Sequence, residues 1–234
     1  MTMAIFDKLI HICRSYTNTQ YPGGYPEVNK FNISDFVLNE LIPIIGTNPY
    51  PLSELELLVS TVLWYRPSHI CDWGTHIGKA TRIFYETVQA FSLKTHLISI
   101  DLPEHIAHLE HPHADRGKLV RHLPKIKLLL GDGVTTSLSY LKHLAKGNIR
   151  PLFFIDGDHE YISVQRELKK IHETYPSAVI IAHDTFNQTR ESGYNIGPYK
   201  AITEFIKFTG QYKSYSTHFG LPGMTVLIPK FHEK

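Results

Sequence analysis

Five aspartates close successive apolar runs of the sequence, and their carboxylates are the side chains best suited to hold a ligand. The runs are HIC, HLISI, LLLG, PLFFI and AVIIAH, and the aspartates that follow them are Asp72, Asp101, Asp132, Asp156 and Asp184. A carboxylate accepts hydrogen bonds from hydroxyl and amino groups and coordinates hard cations. If the runs are parallel strands, the aspartates converge on one crevice at the carboxyl ends of the sheet. A single aspartate there is commonly only a cap or turn residue, but five in series predict a binding site.

The first aspartate lies in the glycine-containing segment DWGTHIGKAT. Gly74 and Gly78 would let the chain turn sharply and offer backbone amides at the start of the next helix to a ligand. A Walker A phosphate loop is excluded, because three residues instead of four separate the glycines and Ala80 follows Lys79. The dinucleotide fingerprint GxGxxG is incomplete, because His76 replaces the middle glycine that admits a pyrophosphate. The loop therefore suits a ligand without phosphates.

The elements that must position these residues follow from hydrophobic periodicity. After Pro67, short apolar runs alternate with longer segments of helical periodicity, which predicts a parallel sheet with helices on both faces. The helices are expected at Lys79 to Ala90, Val134 to Leu144, Ser163 to His172 and Pro198 to Phe208. The last segment, QYKSYSTHFGLPGMTVLIPK, holds two β-type runs without room for a crossover helix, so we expect an antiparallel hairpin. The predicted fold class is α/β, a Rossmann-like, doubly wound sheet of seven strands.

The region before this sheet is predicted to form a helical cover. Residues 1–50 hold an amphipathic segment from Ile5 to Ser15, the Tyr/Pro/Gly-rich stretch YPGGYPEVNKF and an apolar run from Phe36 to Ile45. Ser53 and Glu56 follow at the spacing of a capping box and predict the start of a helix that leads into the sheet. We therefore expect a cover or lid in residues 1–50 and the main domain in residues 51–234.

Composition limits the classes of partner. A chain of 234 residues with 42% hydrophobic residues can form one large α/β domain. The net charge of +2 supplies no basic stripe for nucleic acid, and the sequence holds no apolar run of the roughly 20 residues that span a membrane. The two cysteines, Cys13 and Cys71, have neither disulfide-framework nor zinc-finger spacing. These features predict a cytoplasmic protein whose partner is a small molecule.

Asp72, Gly74 and Gly78 resemble the acidic-x-G-x-x-x-G motif of class I S-adenosylmethionine (SAM)-dependent methyltransferases, and Asp101 matches the ribose-binding acid of that family. The resemblance implies a distinct part of the cofactor for each group of residues. These are Asp72, Gly74, Thr75 and Gly78 in the motif that wraps the methionine moiety, Asp101 on both ribose hydroxyls, and Asp132 with Gly133 beside the adenine amino group. Asp132 also fits a simple turn acid in its Gly-Asp-Gly corner.

The segment FFIDGDHEYISVQREL followed by AVIIAHDTF resembles the metal-dependent small-molecule O-methyltransferases of the catechol and macrolide-sugar types. The resemblance implies that Asp156 and Asp184 hold a divalent cation, with Mg²⁺ suited to oxygen ligands. Such a cation would stabilise a substrate hydroxyl as it loses its proton. His183 departs from the pattern, because relatives of the macrolide-sugar type often carry an acid there. As a third ligand, its imidazole would favour Mn²⁺, Zn²⁺ or Fe²⁺; alternatively, it does not coordinate at all.

His159 follows Asp156 by three residues and is the candidate general base, since imidazole accepts protons near neutral pH. It could instead cap the next helix or orient a metal ligand. The expected acceptor is a hydroxyl of a sugar, polyketide or phenol, as in natural product biosynthesis, and the resemblance leaves a homo-oligomer open. Two other functions stay open: an NAD-dependent Rossmann oxidoreductase, and a protein that kept this fold with hydroxylase or no catalytic activity.

Overall fold

The computed structural model describes residues 28–106, 112–144, 149–192, 194–217 and 219–230. Within these ranges seven strands form one sheet: β1 (His69–Trp73), β2 (His96–Asp101), β3 (Ile126–Leu130), β4 (Pro151–Ile155), β5 (Val179–His183), β6 (Tyr212–Ser216) and β7 (Met224–Pro229). The strand order is β3-β2-β1-β4-β5-β7-β6. Strands β1 to β5 pair in parallel, whereas β7 runs antiparallel to both β5 and β6. The predicted doubly wound sheet with a C-terminal hairpin is therefore confirmed.

Helices cover both faces of this sheet. Their bounds are α1 (Lys30–Phe36), a π-helical segment Val37–Leu41, α2 (Ile42–Ile45), α3 (Leu52–Tyr65), α4 (Lys79–Ala90), α5 (Gly133–His143), α6 (Tyr161–Thr174) and α7 (Gly197–Thr209), with 3-10 turns at His113–Asp115 and Arg190–Ser192. The four helices predicted between the strands agree with α4 to α7 within two residues at each end. No helix in the described ranges is long and apolar enough to cross a membrane.

The predicted start of α3 is wrong in its capping. The N-cap residue is Pro51 and forms no side-chain cap, so Ser53 lies inside the first turn. Glu56 does not reach back to the helix start, because its carboxylate accepts a hydrogen bond of 2.7 Å from the Ser34 hydroxyl. Tertiary contact with α1 has replaced the local capping interaction.

Alternate residues of the strands supply two hydrophobic cores. One face packs side chains such as Ile70, Phe154 and Ile181 against α3 and α4, and the other packs Phe153 and Ile180 against α5, α6 and α7. Strands β4 and β5 are buried along their whole length, as a run apolar on both faces requires. The two edge strands β3 and β6 are more open, because three of the five residues in each are exposed, including Leu128 and Leu130 of β3 and Tyr215 of β6.

The N-terminal helical cover is built into the first of these cores. Ile33, Val37 and Leu41 are fully buried there, and Phe36 packs edge-on against Phe91 at the end of α4, with ring centroids 5.2 Å apart. Each buried side chain of this size contributes about 1.5–3 kcal/mol, so the cover also stabilises the sheet. The segment predicted from Ile5 to Ser15 lies outside the described residues. The division of the chain at residue 50 stays a prediction.

The strand order places a crevice beyond the carboxyl ends of β1 and β4. Chain connections from β1 lead to β2 on one side, whereas the later strands β4 and β5 lie on the other. At such a topological switch point the loops diverge and leave room for a ligand. The backbone stays tightly held there, since Gly74 N donates to Ile100 O at 2.9 Å and Asp156 N donates to Trp73 O at 3.2 Å.

Candidate functional site

Three side chains at the ends of β4 and β5 form a cluster that could hold a metal ion. One ligand atom each from Asp156, His183 and Asp184 lies within 4.8 Å of the others. The two strands are parallel neighbours, so residues that end them are brought together whatever their separation in sequence. Asp184 has a φ of 55°, a left-handed conformation that aspartate adopts more readily than most residues. The structure thus brings together the three residues predicted as metal ligands.

His183 is buried, and both of its ring nitrogens face carboxylates. Nδ1 lies 3.1 Å from Asp156 Oδ1 and 3.6 Å from Asp184 Oδ1, while Nε2 lies 3.0 Å from Glu54 Oε2. Burial favours the neutral ring and so lowers the pKa of His183, but the carboxylates outweigh it and raise this pKa to about 10. Without a cation in the cluster, the ring is therefore an imidazolium that donates to carboxylates from both nitrogens.

Asp156 has a second partner on its other oxygen. The Tyr50 hydroxyl donates to Asp156 Oδ2 at 2.5 Å, and the Tyr50 ring meets the His183 ring edge-on at 4.9 Å. Burial acts to raise the pKa of Asp156, but the neighbouring rings of His183 and His159 and the Tyr50 hydroxyl hold it below its usual range. Burial and then the Asp156 charge raise the pKa of Tyr50 well above its usual value, so this side chain remains a phenol.

Asp184 keeps one oxygen without a hydrogen bond. Its Oδ2 accepts from Asn195 Nδ2 at 2.8 Å and lies 3.3 Å from His159 Nε2. Its Oδ1 is buried and has no hydrogen-bond partner among the described residues. A buried carboxylate oxygen in this state is costly, and a cation among these atoms would satisfy it. The donor set of two carboxylates and one imidazole nitrogen therefore fits a divalent ion.

His159, the predicted base, lies at the more open side of the cluster. Its side chain is 24% exposed, against 3% for His183. Besides the contact with Asp184, its Nε2 lies 3.9 Å from Asp156 Oδ1. The position allows His159 to meet a molecule that enters from the solvent and to exchange a proton with it.

Asp72 lies inside β1 and does not close the strand, unlike the expectation for the aspartate series. It is 2% exposed, and its Oδ2 accepts hydrogen bonds from the hydroxyls of Thr81 and, at 3.1 Å, Ser99. Thr75 joins the same network through a 2.7 Å contact between its hydroxyl and that of Ser99. Burial raises the pKa of Asp72 to about 7, against the opposing hydrogen bonds from Thr81 and Ser99. This network lies beneath the glycine-containing loop.

The loop itself has the conformation that its glycines predict. Gly74 and Gly78 have φ values of 94° and 91°. A Cβ atom on Gly74 would lie 2.3 Å from the carbonyl oxygen of Asp156, so only glycine permits this contact. Asp101, the last residue of β2, holds the middle of the loop by accepting from His76 N at 3.0 Å, and it also pairs with Arg116 at 3.2 Å.

Asp132 is engaged by the protein itself. Its carboxylate caps α5 by accepting from Thr135 N at 2.9 Å and pairs with the guanidinium of Arg166. Burial opposes these bonds, but they hold the pKa of Asp132 below its usual value. Gly133, the next residue, lies against the ring of Trp73, where a Cβ would come within 2.7 Å of Cγ. Asp132 therefore acts as a capping acid at this turn, which is one of the two roles that the sequence allowed. Contact between Asp132 and a cofactor stays a prediction.

Sequence patterns missed Tyr50, Glu54 and Asn195, whose side chains contact the cluster. Glu54 and His183 are 129 positions apart, and neither Tyr50 nor Asn195 belongs to a recognisable motif. One signal was available for Glu54, because it is an acid in the first turn of a helix whose neighbours Leu55 and Leu58 are apolar and buried. A carboxylate on such a face needs a buried partner.

Comparison with known proteins relates residues 71–185 to a family model and the whole fold to solved structures. Residues 71–185 match a family model described as a methyltransferase domain. None of the curated proteins matches the sequence. A methyltransferase from Podospora anserina, solved with SAH bound, is 13% identical and has a TM-score of 0.54 over 98% of this chain and 97% of that chain. The O-methyltransferase from Bacillus cereus in complex with SAH is 15% identical, with a TM-score of 0.50 over 88% and 92% of the two chains.

A third similar structure is the apo form of a TDP-rhamnose 3'-O-methyltransferase of calicheamicin biosynthesis. It is 14% identical, with a TM-score of 0.53 over 96% of this chain and 93% of that chain. At these identities the likeness to solved structures establishes the fold.

Proposed function

We propose that the protein transfers the methyl group of SAM to a hydroxyl of a small molecule, assisted by a divalent cation. Residues 71–185 match the model of a methyltransferase domain, and they lie in a doubly wound, seven-stranded sheet. The observation that carries this proposal is the contact between the two halves of the site. A side chain at Gly74 would collide with the backbone of Asp156, so the glycine-containing loop lies directly against the carboxylate and imidazole cluster. A methyl donor in the loop would thus adjoin an acceptor at the cluster.

The loop and the strand ends beside it supply the proposed cofactor contacts. We assign the ribose hydroxyls to Asp101, whose two oxygens already hold backbone amides of His76 and Leu102 but retain further lone pairs. The methionine moiety is assigned to Gly74 to Gly78, including Thr75, above the buried Asp72. Asp132 and Gly133 are assigned to the adenine end.

Asp156, Asp184 and His183 would hold the divalent cation, which would supply positive charge that favours loss of a proton from a substrate hydroxyl. His159 accepts that proton at Nε2, and the neighbouring Asp184 carboxylate stabilises the imidazolium that results. SAM, when bound, would supply the methyl group: the hydroxyl oxygen would form a bond with the methyl carbon, the carbon–sulfur bond would break, and S-adenosylhomocysteine would leave. The protein mainly aligns the three atoms of this displacement.

The acceptor is proposed to be a sugar, polyketide or phenol of natural product biosynthesis. The likeness to the TDP-rhamnose enzyme supports a hydroxylated small molecule. Mg²⁺ as the cation, a cytoplasmic location and a homo-oligomer remain predictions.

Transfer of a labelled methyl group from SAM to a panel of hydroxylated metabolites tests the proposal. Wild type should methylate at least one acceptor, and activity should fall at least about 100-fold with EDTA or in Asp184→Asn, which removes a charge from the cluster. Asp35→Asn is the matched control, since Asp35 is exposed and its carboxylate accepts a 2.7 Å hydrogen bond from Asn39 Nδ2, away from the cluster. Activity that survives both EDTA and Asp184→Asn would show that no cation is needed. Hydride transfer from NADH in place of methyl transfer would favour the oxidoreductase.

A further inference from the structure

We propose that Glu54 is a positioning residue that fixes His183 as a nitrogen ligand, which makes the cluster a site for a transition metal such as Mn²⁺ in preference to Mg²⁺. The inference rests on the proposed cation site and deepens it. Glu54 lies in the first turn of α3 and outside the aspartate series.

The Glu54 carboxylate is held rigidly. It is 2% exposed, and each of its oxygens has a partner from a different part of the fold. Oε1 accepts a 2.9 Å hydrogen bond from Gly223 N in the loop between β6 and β7, and Oε2 lies 3.0 Å from His183 Nε2. Backbone hydrogen bonds hold this loop against the segment after β5, since Thr185 N donates to Gly223 O at 2.9 Å and Phe186 N donates to Pro222 O at 3.1 Å.

This arrangement selects one tautomer of His183. An ionised carboxylate only accepts hydrogen bonds, so His183 Nε2 must carry a proton toward Glu54. The nitrogen left to act as a ligand is Nδ1, which faces Asp156 Oδ1 and Asp184 Oδ1 at 3.1 and 3.6 Å. Only the Nδ1 proton has to leave for this nitrogen to coordinate. Asp184 Oδ1 is buried and has no hydrogen-bond partner among the described residues, which points independently to a ligand at this position.

A carboxylate that holds the distal N–H of a ligating histidine is a common support of metal sites, and its loss typically weakens metal affinity about 10–100-fold. The ligand set here is one imidazole nitrogen and two carboxylate oxygens. Mg²⁺ prefers oxygen ligands and keeps its waters, whereas imidazole suits transition-metal ions. The geometry therefore favours Mn²⁺, Co²⁺ or Zn²⁺ over Mg²⁺.

Glu54→Gln keeps the size of the side chain but changes its hydrogen-bonding groups. The variant therefore distinguishes orientation of His183 by the carboxylate from a purely steric role of Glu54. Gly223 N–H and His183 Nε2–H both need an acceptor, and a carboxylate provides two whereas an amide provides one acceptor and one donor. If the amide group turns its donor toward His183, the ring changes tautomer and Nδ1 carries the proton. Glu56→Gln is the matched control, since Glu56 lies on the same helix and its carboxylate meets Ser34 at 2.7 Å.

The experiment is Mn²⁺ binding to the full-length protein, followed by pulsed electron paramagnetic resonance that detects nitrogen bound directly to the ion. Wild type and Glu56→Gln should show one strongly coupled ¹⁴N nucleus and bind Mn²⁺ at least about tenfold more tightly than Mg²⁺. Glu54→Gln should bind Mn²⁺ about 10–100-fold more weakly and lose most of the nitrogen coupling. His183→Gln should lose this coupling entirely.

Bound Mn²⁺ without nitrogen coupling in the wild type would overturn the inference while the proposed cation site stands. Wild-type affinity and coupling in a folded Glu54→Gln would overturn the role of Glu54. Absence of Mn²⁺ binding to the wild type would overturn both the inference and the cation in the proposed function. The wild-type spectrum decides the first and last cases even if the variants do not fold.

Discussion

The two histidines of the cluster differ in what surrounds them, and this difference divides their roles. His183 is enclosed, and its two ring nitrogens are occupied by carboxylates, so it cannot meet a substrate. His159 contacts the same aspartates from the open side through a single nitrogen. A base has to reach the proton that it removes, and of these two histidines His159 is the one open to solvent. We therefore propose proton transfer for His159 and cation binding for His183.

Replacement of His159 by Gln should lower kcat by about 10²–10⁴-fold, because the substrate hydroxyl loses its proton acceptor. The affinity for SAM, measured by calorimetry, should not change. His143→Gln is the control, since this exposed histidine at the end of α5 contacts only the Ser139 carbonyl among side-chain hydrogen bonds. An unchanged kcat in His159→Gln across the pH range would contradict the assignment.

The sequence predicted candidate site residues only where they stand next to a recognisable local pattern. Aspartates at strand ends can be predicted, because hydrophobic runs and the acids that close them are neighbours in sequence. Glu54 and Tyr50 could not be found this way, since their partners His183 and Asp156 lie more than a hundred residues away and meet them only in the folded protein. Asp72 was misplaced for a related reason, because Trp73 continues the strand by one residue.

Helix α6 carries an ionisable group on its buried face. Glu167 shares that face with Val164, Leu168 and Ile171, and is 6% exposed. Its Oε2 has no hydrogen-bond partner among the described residues. Burial raises the pKa of Glu167 to about 8; the charge of Arg166 opposes this shift, while those of Asp132 and Asp158 add to it. The helix periodicity predicted the apolar residues but not this carboxyl group between them.

The stability of the metal-free protein should therefore fall with pH through Glu167. Between the usual value of 4.5 and about 8, the folded state keeps a proton that the unfolded state has released, so the free energy of unfolding decreases as pH rises. Glu167→Gln removes the ionisable group and with it this decrease in the free energy of unfolding. Relative to wild type, its free energy of unfolding in urea should rise by about 2–4 kcal/mol between pH 5 and pH 8.5. Glu173→Gln, on the exposed side of α6, should give a constant difference, and parallel curves for Glu167→Gln would refute the prediction.

Over the whole molecule, the site is assembled from segments that the sheet brings together. The carboxyl ends of β4 and β5 supply the cluster, the segment before α3 supplies Tyr50, and the loop before β7 fixes Glu54 through Gly223. The parallel sheet, its C-terminal hairpin and the helix positions were predictable, because periodicity, turn residues and the rules of parallel sheets are local or general. The way in which the N-terminal helices close the site was not, since it depends on tertiary packing between distant segments.

Calorimetry of the full-length protein with SAM and, separately, with NAD shows whether this crevice binds the methyl donor. Wild type and the exposed control Asp35→Asn should bind one SAM per chain. Asp101→Ala should bind it at least about tenfold more weakly, because charge-assisted hydrogen bonds to the ribose are lost. Failure of the wild type to bind SAM, or binding of NAD in its place, would exclude the proposed methyltransferase function.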